Sequence, residues 1–424
     1  KDKDAIFYSA EQSNNKLNLE KFSSLVFQFY EENNLEPFSS WSNALSYIDE
    51  RQSNKKLVLV IDEFPYLVKK NRALLSEFQH LIDHKLTSGK MFLILSGSYM
   101  GFMEKEVLGS NSPLFGRRTA QLHMKPFTYQ TSAKFMTGFS DEEKLMLYGA
   151  YGGTPLYLQQ INEKESFEEN IKRTYLKVTS YLYEEALLLL RQEVQEPGVY
   201  SAIIEAIASG YTKANEISTK IGEDSAKCLK YIKILCELGI LHKETPFGEK
   251  ESSRKTIYGI SDFMFRFWYR YVFTNRTLIE TGAQQVVWEK RIKPDYCSYM
   301  GLVFEKVCMD YLNSKNARGE LPILYTSIGR WWGTNAATHG QEEIDLIAND
   351  GKDYLFGECK WRNEKLDISV LKDLKAKADV FRINRKNSYY VLFSKSGFTE
   401  AVLNEVRSDD SILLVDLAEL MTSC

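Results

Sequence analysis

Five consecutive aliphatic residues, Leu57-Val58-Leu59-Val60-Ile61, run directly into two carboxylates, Asp62 and Glu63. An uninterrupted run of that kind reads as a strand buried on both faces of a parallel sheet. Parallel neighbours need crossover connections, and the flanking sequence supplies them. Ala5 to Ala10 reads as a short strand, and Leu19 to Glu32 has helical spacing at Leu19, Phe22, Leu25, Val26 and Tyr30. A helix from about Ala73 to Leu86, ending near Gly89, leads into a second buried strand, Met91 to Leu95. Strand, helix, strand, helix, strand is an α/β layer architecture.

At the C-terminal end of a parallel strand, the first carboxylate can hold a magnesium ion through water. The second can polarise the water that attacks a γ-phosphate. This is the Walker B arrangement, although a buried strand running into an acidic loop has the same letters. Ser96-Gly97-Ser98 falls at the end of the next strand, where a hydroxyl can sense the γ-phosphate. Gly116-Arg117-Arg118 follows, placed for an arginine finger acting in cis or on a neighbouring subunit.

The strings Ser96-Gly97-Ser98, Ser112-Pro113-Leu114-Phe115-Gly116-Arg117-Arg118 and Lys125-Pro126-Phe127 resemble the prokaryotic P-loop ATPases of the AAA class, often called archaeal-type ATPases. Gly152-Gly153-Thr154-Pro155 extends the likeness into a helical lid. The resemblance implies ATP and magnesium as cofactors, with Asp62 on the metal and Glu63 as base. It also implies Ser96 or Ser98 as sensor and Arg117 or Arg118 on the γ-phosphate charge. One part of the pattern is missing: the sequence contains no GxxxxGK[ST] string, whose backbone amides and lysine cradle the phosphates. The chain opens at Lys1 and enters a strand within a few residues. The expectation is therefore that about 30 to 40 residues, one strand, loop and helix of a βαβ unit, precede it.

From residue 127 to 195 the pattern is helical, and Glu193 to Val199, with Pro197 and Gly198, reads as a linker. Helices Val199 to Ala208, Lys213 to Ile221 and Ser225 to Leu238 then precede two strands, Ile240 to Lys243 and Lys255 to Ile260. Three helices and a two-stranded wing form the winged variant of helix-turn-helix, here spanning 196–275. Lys227, Lys230 and Lys233 recur on its third helix, with Lys213 and Lys220 on the second, which suits phosphate contacts with DNA or, equally, a solvated helix face. The aromatic stretch Asp262 to Phe273 reads as a buried packing helix, with a base-stacking surface as the alternative. A connecting helix is expected over 276–294.

The last domain, 295–424, is read as a helix Tyr299 to Leu312, strands at Ile344 to Ala348, Tyr354 to Cys359 and Ser388 to Phe393, and a helix near Val370 to Phe381. Glu358 and Lys360 share a strand face with Phe356, and a charged pair on an apolar strand needs a reason. A magnesium site supplies one. Asp345 and Glu358 would be the oxygen ligands, Lys360 would orient or acidify the attacking water, and Glu305 would complete the cluster. A structural salt bridge in an inactive fold is the other reading. The order Glu305, Asp345, Glu358, Lys360 resembles the PD-(D/E)xK nucleases, and the segment is similar to domain of unknown function 234, found fused to archaeal-type ATPases.

With 424 residues, 44% hydrophobic and 26% charged, the chain has the composition of about three globular domains and is neither disordered nor fibrous. A net charge of −3 excludes a global positive field, so DNA contact needs a local patch; residues 361–390 hold eight Lys+Arg against four Asp+Glu. Six cysteines without a CxxC pair read as reduced thiols of a cytoplasmic protein, and no apolar stretch reaches membrane-spanning length. His80 and His84 share a helix face without a recognisable third metal ligand.

The sequence thus predicts a multidomain α/β ATPase. Its parts are a P-loop core lacking its P-loop (1–126), a helical lid (127–195), a winged helix and a restriction-endonuclease-like terminal domain. ATP and DNA are the expected partners, and a homo-oligomer stays open. The alternative is a DNA-binding or partner-binding regulator with inactive ATPase and nuclease-like domains.

Overall fold

The computed structural model describes residues 3–33, 35–51, 56–84, 91–98, 100–335, 339–381 and 385–422. The chain divides into two units, Lys1–Met124 and Lys125–Cys424.

In the first unit β1 (Ala5–Ser9), β2 (Leu57–Asp62) and β3 (Met91–Leu95) form a parallel sheet in that order. Helices α1 (Asn15–Phe29) and α2 (Trp41–Glu50) join β1 to β2, and α3 (Phe64–Lys70) and α4 (Ala73–His84) join β2 to β3. Asn14 and Ser40 cap α1 and α2, their side chains accepting from Leu17 N at 2.9 Å and Asn43 N at 3.1 Å. The expected end of α4 near Gly89 lies outside the described residues.

One face of this sheet, carrying Ile6, Tyr8, Leu57, Leu59 and Ile61, packs against Phe22, Trp41, Phe64 and Phe78. The other face corrects the expectation of burial on both sides. Val58 and Val60 are half-buried, and their neighbours Phe7, Phe92 and Ile94 are 59%, 55% and 38% exposed. Among the described residues every helix packed on the sheet lies on the first face, so alternate side chains of an all-aliphatic strand meet solvent.

The second unit opens with short helices. These include α5 (Asp141–Tyr151), which starts in a Ser140/Glu143 capping box, and α6 (Tyr181–Glu193). The expected linker at 193–199 shrinks to residues 194–196, because Pro197 occupies the first turn of the next helix, where its missing N–H costs nothing. Helices α7 (Pro197–Ala208), α8 (Ala214–Ile221) and α9 (Ser225–Glu237) lead into the antiparallel pair β4 (Leu241–Glu244) and β5 (Ile257–Ile260). Asp224 caps α9, accepting from Ala226 N and Lys227 N at 2.9 and 3.1 Å. In place of one connecting helix over 276–294, Gly282 at φ +83° separates Arg276–Glu280 from Gln284–Val287, since a left-handed residue ends a helix.

Helix α10 (Tyr296–Ala317) precedes a five-stranded sheet, ordered β10-β9-β8-β7-β6. Its strands are β6 (Ser327–Thr334), β7 (Gln341–Asn349), β8 (Tyr354–Lys360), β9 (Ser388–Ser394) and β10 (Ile412–Asp416). The pairs β6/β7 and β7/β8 are antiparallel, and β8/β9 and β9/β10 parallel. Helix α11 (Ile368–Val380) covers one face, where Leu371 and Leu374 pack with Phe356 and Leu392.

The helices of 127–195, the three-helix segment and one face of the terminal sheet share one continuous core from Tyr129 to Leu420, while the α11 face of that sheet has its own. The aromatic stretch is the reason. Phe263, Phe265, Phe267, Trp268, Tyr269 and Tyr271 are all buried, which removes the base-stacking alternative. Trp268 Nε1 donates to Tyr183 O at 2.7 Å, Tyr269 OH to Ser201 Oγ at 2.9 Å, and Tyr299 OH to Gly149 O at 2.7 Å. Rings with polar tips thus tie segments far apart in sequence into one interior. Among the described residues no helix is long and apolar enough to cross a membrane.

Candidate functional site

The Asp62 and Glu63 carboxylates sit where β2 ends. Ser96 N donates to Ile61 O at 3.0 Å and Phe64 N to Ser96 O at 2.9 Å, which locks the loop after β3 against the loop after β2. Two side-chain bonds repeat that pairing. Ser96 Oγ donates to Asp62 Oδ1 at 2.7 Å, and Ser98 Oγ to Glu63 Oε1 at 3.0 Å. The four sequence-predicted residues therefore converge on one edge of the sheet.

Two backbone features hold them there. Glu63 has φ +50° and ψ +37°, a left-handed conformation that costs a residue with a Cβ about 1–2 kcal/mol. A Cβ on Gly97 would lie 2.5 Å from Pro65 Cδ, so only glycine lets the serine loop approach the start of α3.

The arginines stand differently. Arg117 forks onto Asp83 of α4, Nε to Oδ1 at 2.7 Å and Nη2 to Oδ2 at 2.8 Å, and its Nη1 donates to Pro113 O at 2.9 Å. It clamps its own loop in this structure, because a bidentate carboxylate and a carbonyl occupy its donors. Arg118 is exposed and reaches Gln121. The motif strings farther along also meet. Phe127 N donates to Gly153 O at 2.8 Å, and a Cβ on Gly153 would fall 2.0 Å from Phe127 O.

The chemistry of these donors fits magnesium, which takes carboxylate and hydroxyl oxygens. The residues that cradle phosphates are not in this sequence, which has no GxxxxGK[ST] string. Asp62, Glu63 and the two serines thus gather two carboxylates and two hydroxyls at the ends of β2 and β3.

In the terminal sheet Glu358 is 4% and Asp345 8% exposed. Asp345 Oδ2 accepts from Cys359 N at 2.8 Å and stands 4.0 Å from Lys360 Nζ. Lys360 Nζ lies 2.5 Å from Glu358 Oε1, and Lys377 of α11 reaches both Glu358 oxygens at 3.2 Å. Burial, then the Glu358 charge, pushes Asp345 up to about 6; burial, then the Asp345 charge, pushes Glu305 up to about 8.

Glu305 does not complete a ligand set. Its Oε2 faces Arg330 Nε at 3.5 Å, and Arg330 also meets Glu244 at 3.1 Å and Glu343. The Arg330 guanidinium sits among these three carboxylates. Among the described residues no group of three or more His, Cys, Asp or Glu is arranged to hold a metal, the His80/His84 pair included. Lys377 and Arg330 are the residues sequence reading missed; the basic surplus of 361–390 was the one signal for Lys377.

The five lysines expected on DNA are mostly engaged. Lys227 meets Glu223 at 3.2 Å and Glu196 at 3.5 Å, Lys233 meets Glu237 at 3.9 Å and Lys213 meets Glu216 at 3.6 Å. Lys220 lies 5.4 Å from the Tyr211 ring centre, and Lys230 is exposed on α9.

A parallel strand ending in two carboxylates is the arrangement expected of a nucleotide-hydrolase domain, and the family comparison points to the same class. Residues 1–161 match the family model of an ATPase domain predominantly from Archaea, and residues 268–376 match that of domain of unknown function 234, archaeal and bacterial proteins of unknown function. The uncharacterized protein MJECL04 of Methanocaldococcus jannaschii is 32% identical over 421 residues, 98% of this chain and 89% of that one. The chain belongs to this family of archaeal ATPase domains joined to domain of unknown function 234. Among solved structures it is similar to the Walker-type ATPase PABY2304 of Pyrococcus abyssi, with 19% identity, 63% of this chain and 84% of that one covered, and a TM-score of 0.48. It is also similar to the ORC1 protein of Aeropyrum pernix in complex with DNA, with 11% identity, 68% and 78% covered, and a TM-score of 0.31.

Proposed function

We propose that this protein hydrolyses ATP at the edge formed by β2 and β3 and binds DNA through a winged helix made of α7, α8, α9 and the β4–β5 hairpin. The observation that carries the first half is the double pairing of Asp62 with Ser96 and Glu63 with Ser98 at the ends of adjacent parallel strands. Magnesium, when bound, supplies charge neutralisation for the phosphates, and Asp62 is the residue that would hold it through water. Glu63 takes a proton from the attacking water at its carboxylate, which Ser98 keeps in one orientation. ATP turnover by the full-length protein tests the reading: it is lost in Glu63→Gln, and turnover that persists in that variant removes Glu63 as the base.

The terminal domain has two readings. In the first it is a PD-(D/E)xK-like nuclease, with Asp345 and Glu358 holding magnesium and Lys360 on the water. In the second it is an inactive fold in a DNA-binding regulator. The pairing of Glu358 with both Lys360 and Lys377 favours the second, since a carboxylate facing two ammonium groups is already neutralised. Magnesium- or manganese-dependent cleavage of plasmid DNA that disappears in Glu358→Ala and in Lys360→Ala supports the nuclease. Cleavage equal in wild type and both variants indicates a contaminating nuclease, and a wild-type protein that cleaves nothing supports the regulator.

A further inference from the structure

The start of α8 and the β4–β5 hairpin enclose an open groove of about 610 Å³. Tyr258 N donates to Thr212 O at 2.8 Å, and this bond brings the segment before α8 against β5. Lys213, Lys243 and Arg254 line the groove together with the hydroxyls of Ser252 and Ser253. Lys243 Nζ donates to Glu251 O at 2.6 Å, which fixes the hairpin turn beside its strand and leaves the ammonium charge unneutralised by that neutral partner.

The glutamates of the hairpin do not cancel these cations. Glu244 turns away to Arg330 at 3.1 Å and Glu249 to Lys255 at 2.8 Å, so Glu251 is the acidic side chain among the lining residues. Lys213 is offset by Glu216 at 3.6 Å, as Lys227 and Lys233 on α9 are by their neighbouring glutamates, so Lys243 and Arg254 are the groove cations without a carboxylate partner among the described residues. Cations spaced along an open channel with hydroxyl donors between them suit a polyanionic strand, because phosphate oxygens accept from Lys, Arg and Ser alike. A small ligand would instead need a pocket that encloses most of its surface.

We propose that this groove, rather than the exposed face of α9, is where the phosphodiester backbone of duplex DNA is held. The proposal rests on the DNA-binding reading above and names the surface that carries it. Binding of a fluorescently labelled duplex by the full chain, followed by anisotropy across a salt series, tests it. Lys243→Gln with Arg254→Gln lowers the slope of log affinity against log salt by about 2, about one unit per lost phosphate contact. Lys230→Gln with Lys233→Gln lowers it by less. A helix pair that lowers the slope more than the groove pair overturns the groove while leaving DNA binding in place. A wild-type chain that binds no duplex overturns the DNA reading, and the groove falls with it.

Discussion

Ser98 Oγ stands 3.0 Å from Glu63 Oε1 across 35 positions of sequence. The loop after β3 therefore orients the carboxylate after β2, and Ser98 acts through Glu63 as a positioning residue. Ser98→Ala is expected to lower the ATP turnover number about 10- to 100-fold, the scale for partners that orient a catalytic group, with nucleotide affinity unchanged. Glu63→Gln is expected to cost about 10²- to 10⁴-fold, the range for a general base. A Ser98→Ala protein with wild-type turnover and affinity would show that the hydroxyl orients nothing.

The left-handed Glu63 has a consequence for stability. Glycine adopts φ +50° without a Cβ penalty, so Glu63→Gly removes strain of about 1–2 kcal/mol while increasing the freedom of the unfolded chain by about half as much. Chemical denaturation is expected to find Glu63→Gly at least as stable as wild type although it has lost turnover. Gly97→Ala is the counterpart, losing about 1–3 kcal/mol because its methyl meets the Pro65 ring. A large loss in Glu63→Gly would mean that the side chain, and not strain, dominates this position.

Asp295 sets an acid limit. Arg270 grips it at 2.7 and 2.8 Å and Tyr271 OH donates to it at 2.6 Å; the Arg270 bond first, and Tyr271 with it, holds its carboxyl below the usual range. The unfolded chain then binds the extra proton, so the contribution of Asp295 is present above about pH 4 and is lost as pH falls through its depressed folded pKa. Thermal melts of wild type and Asp295→Asn are expected to differ most near neutral pH and to converge in acid. A gap that stays constant from neutrality into acid would assign the effect to packing.

What the sequence made legible, and what it hid, follows from range. β2 and β3 were readable because each is built on a continuous apolar run, and Asp62 and Glu63 because they adjoin one. β6 was not, since Ser327–Thr334 places Gly329, Arg330 and Gly333 around two tryptophans and owes its strand form to pairing with β7, with a register shift at Gly329/Trp331. The same limit applies to the sites. The letters of β2 could not tell that Val58 and Val60 look onto an open face, and no local pattern joins Arg330 to Glu244, 86 positions away. The glutamates that offset Lys227 show the converse: a basic helix stripe is visible in sequence, while its neutralisation by Glu196 from the preceding segment is not.

The two lysines on Glu358 make the charge balance of the terminal sheet testable without reference to cleavage. Glu358 is almost fully buried, whereas the Lys360 and Lys377 side chains keep 33% and 24% exposure, so the carboxylate depends on the ammonium groups more than they depend on it. Either lysine alone can neutralise it. Lys360→Met and Lys377→Met are therefore each expected to cost about 1 kcal/mol or less, within the range for partly exposed pairs. The double variant leaves a buried, unpaired carboxylate and is expected to lose about 3 kcal/mol or more, exceeding the sum of the singles. Adding Glu358→Gln to the double variant should return most of that loss, because the amide carries no charge to strand. Additive single costs, or no rescue by Glu358→Gln, would mean that the lysines act independently and that Glu358 is neutralised by something other than this pair.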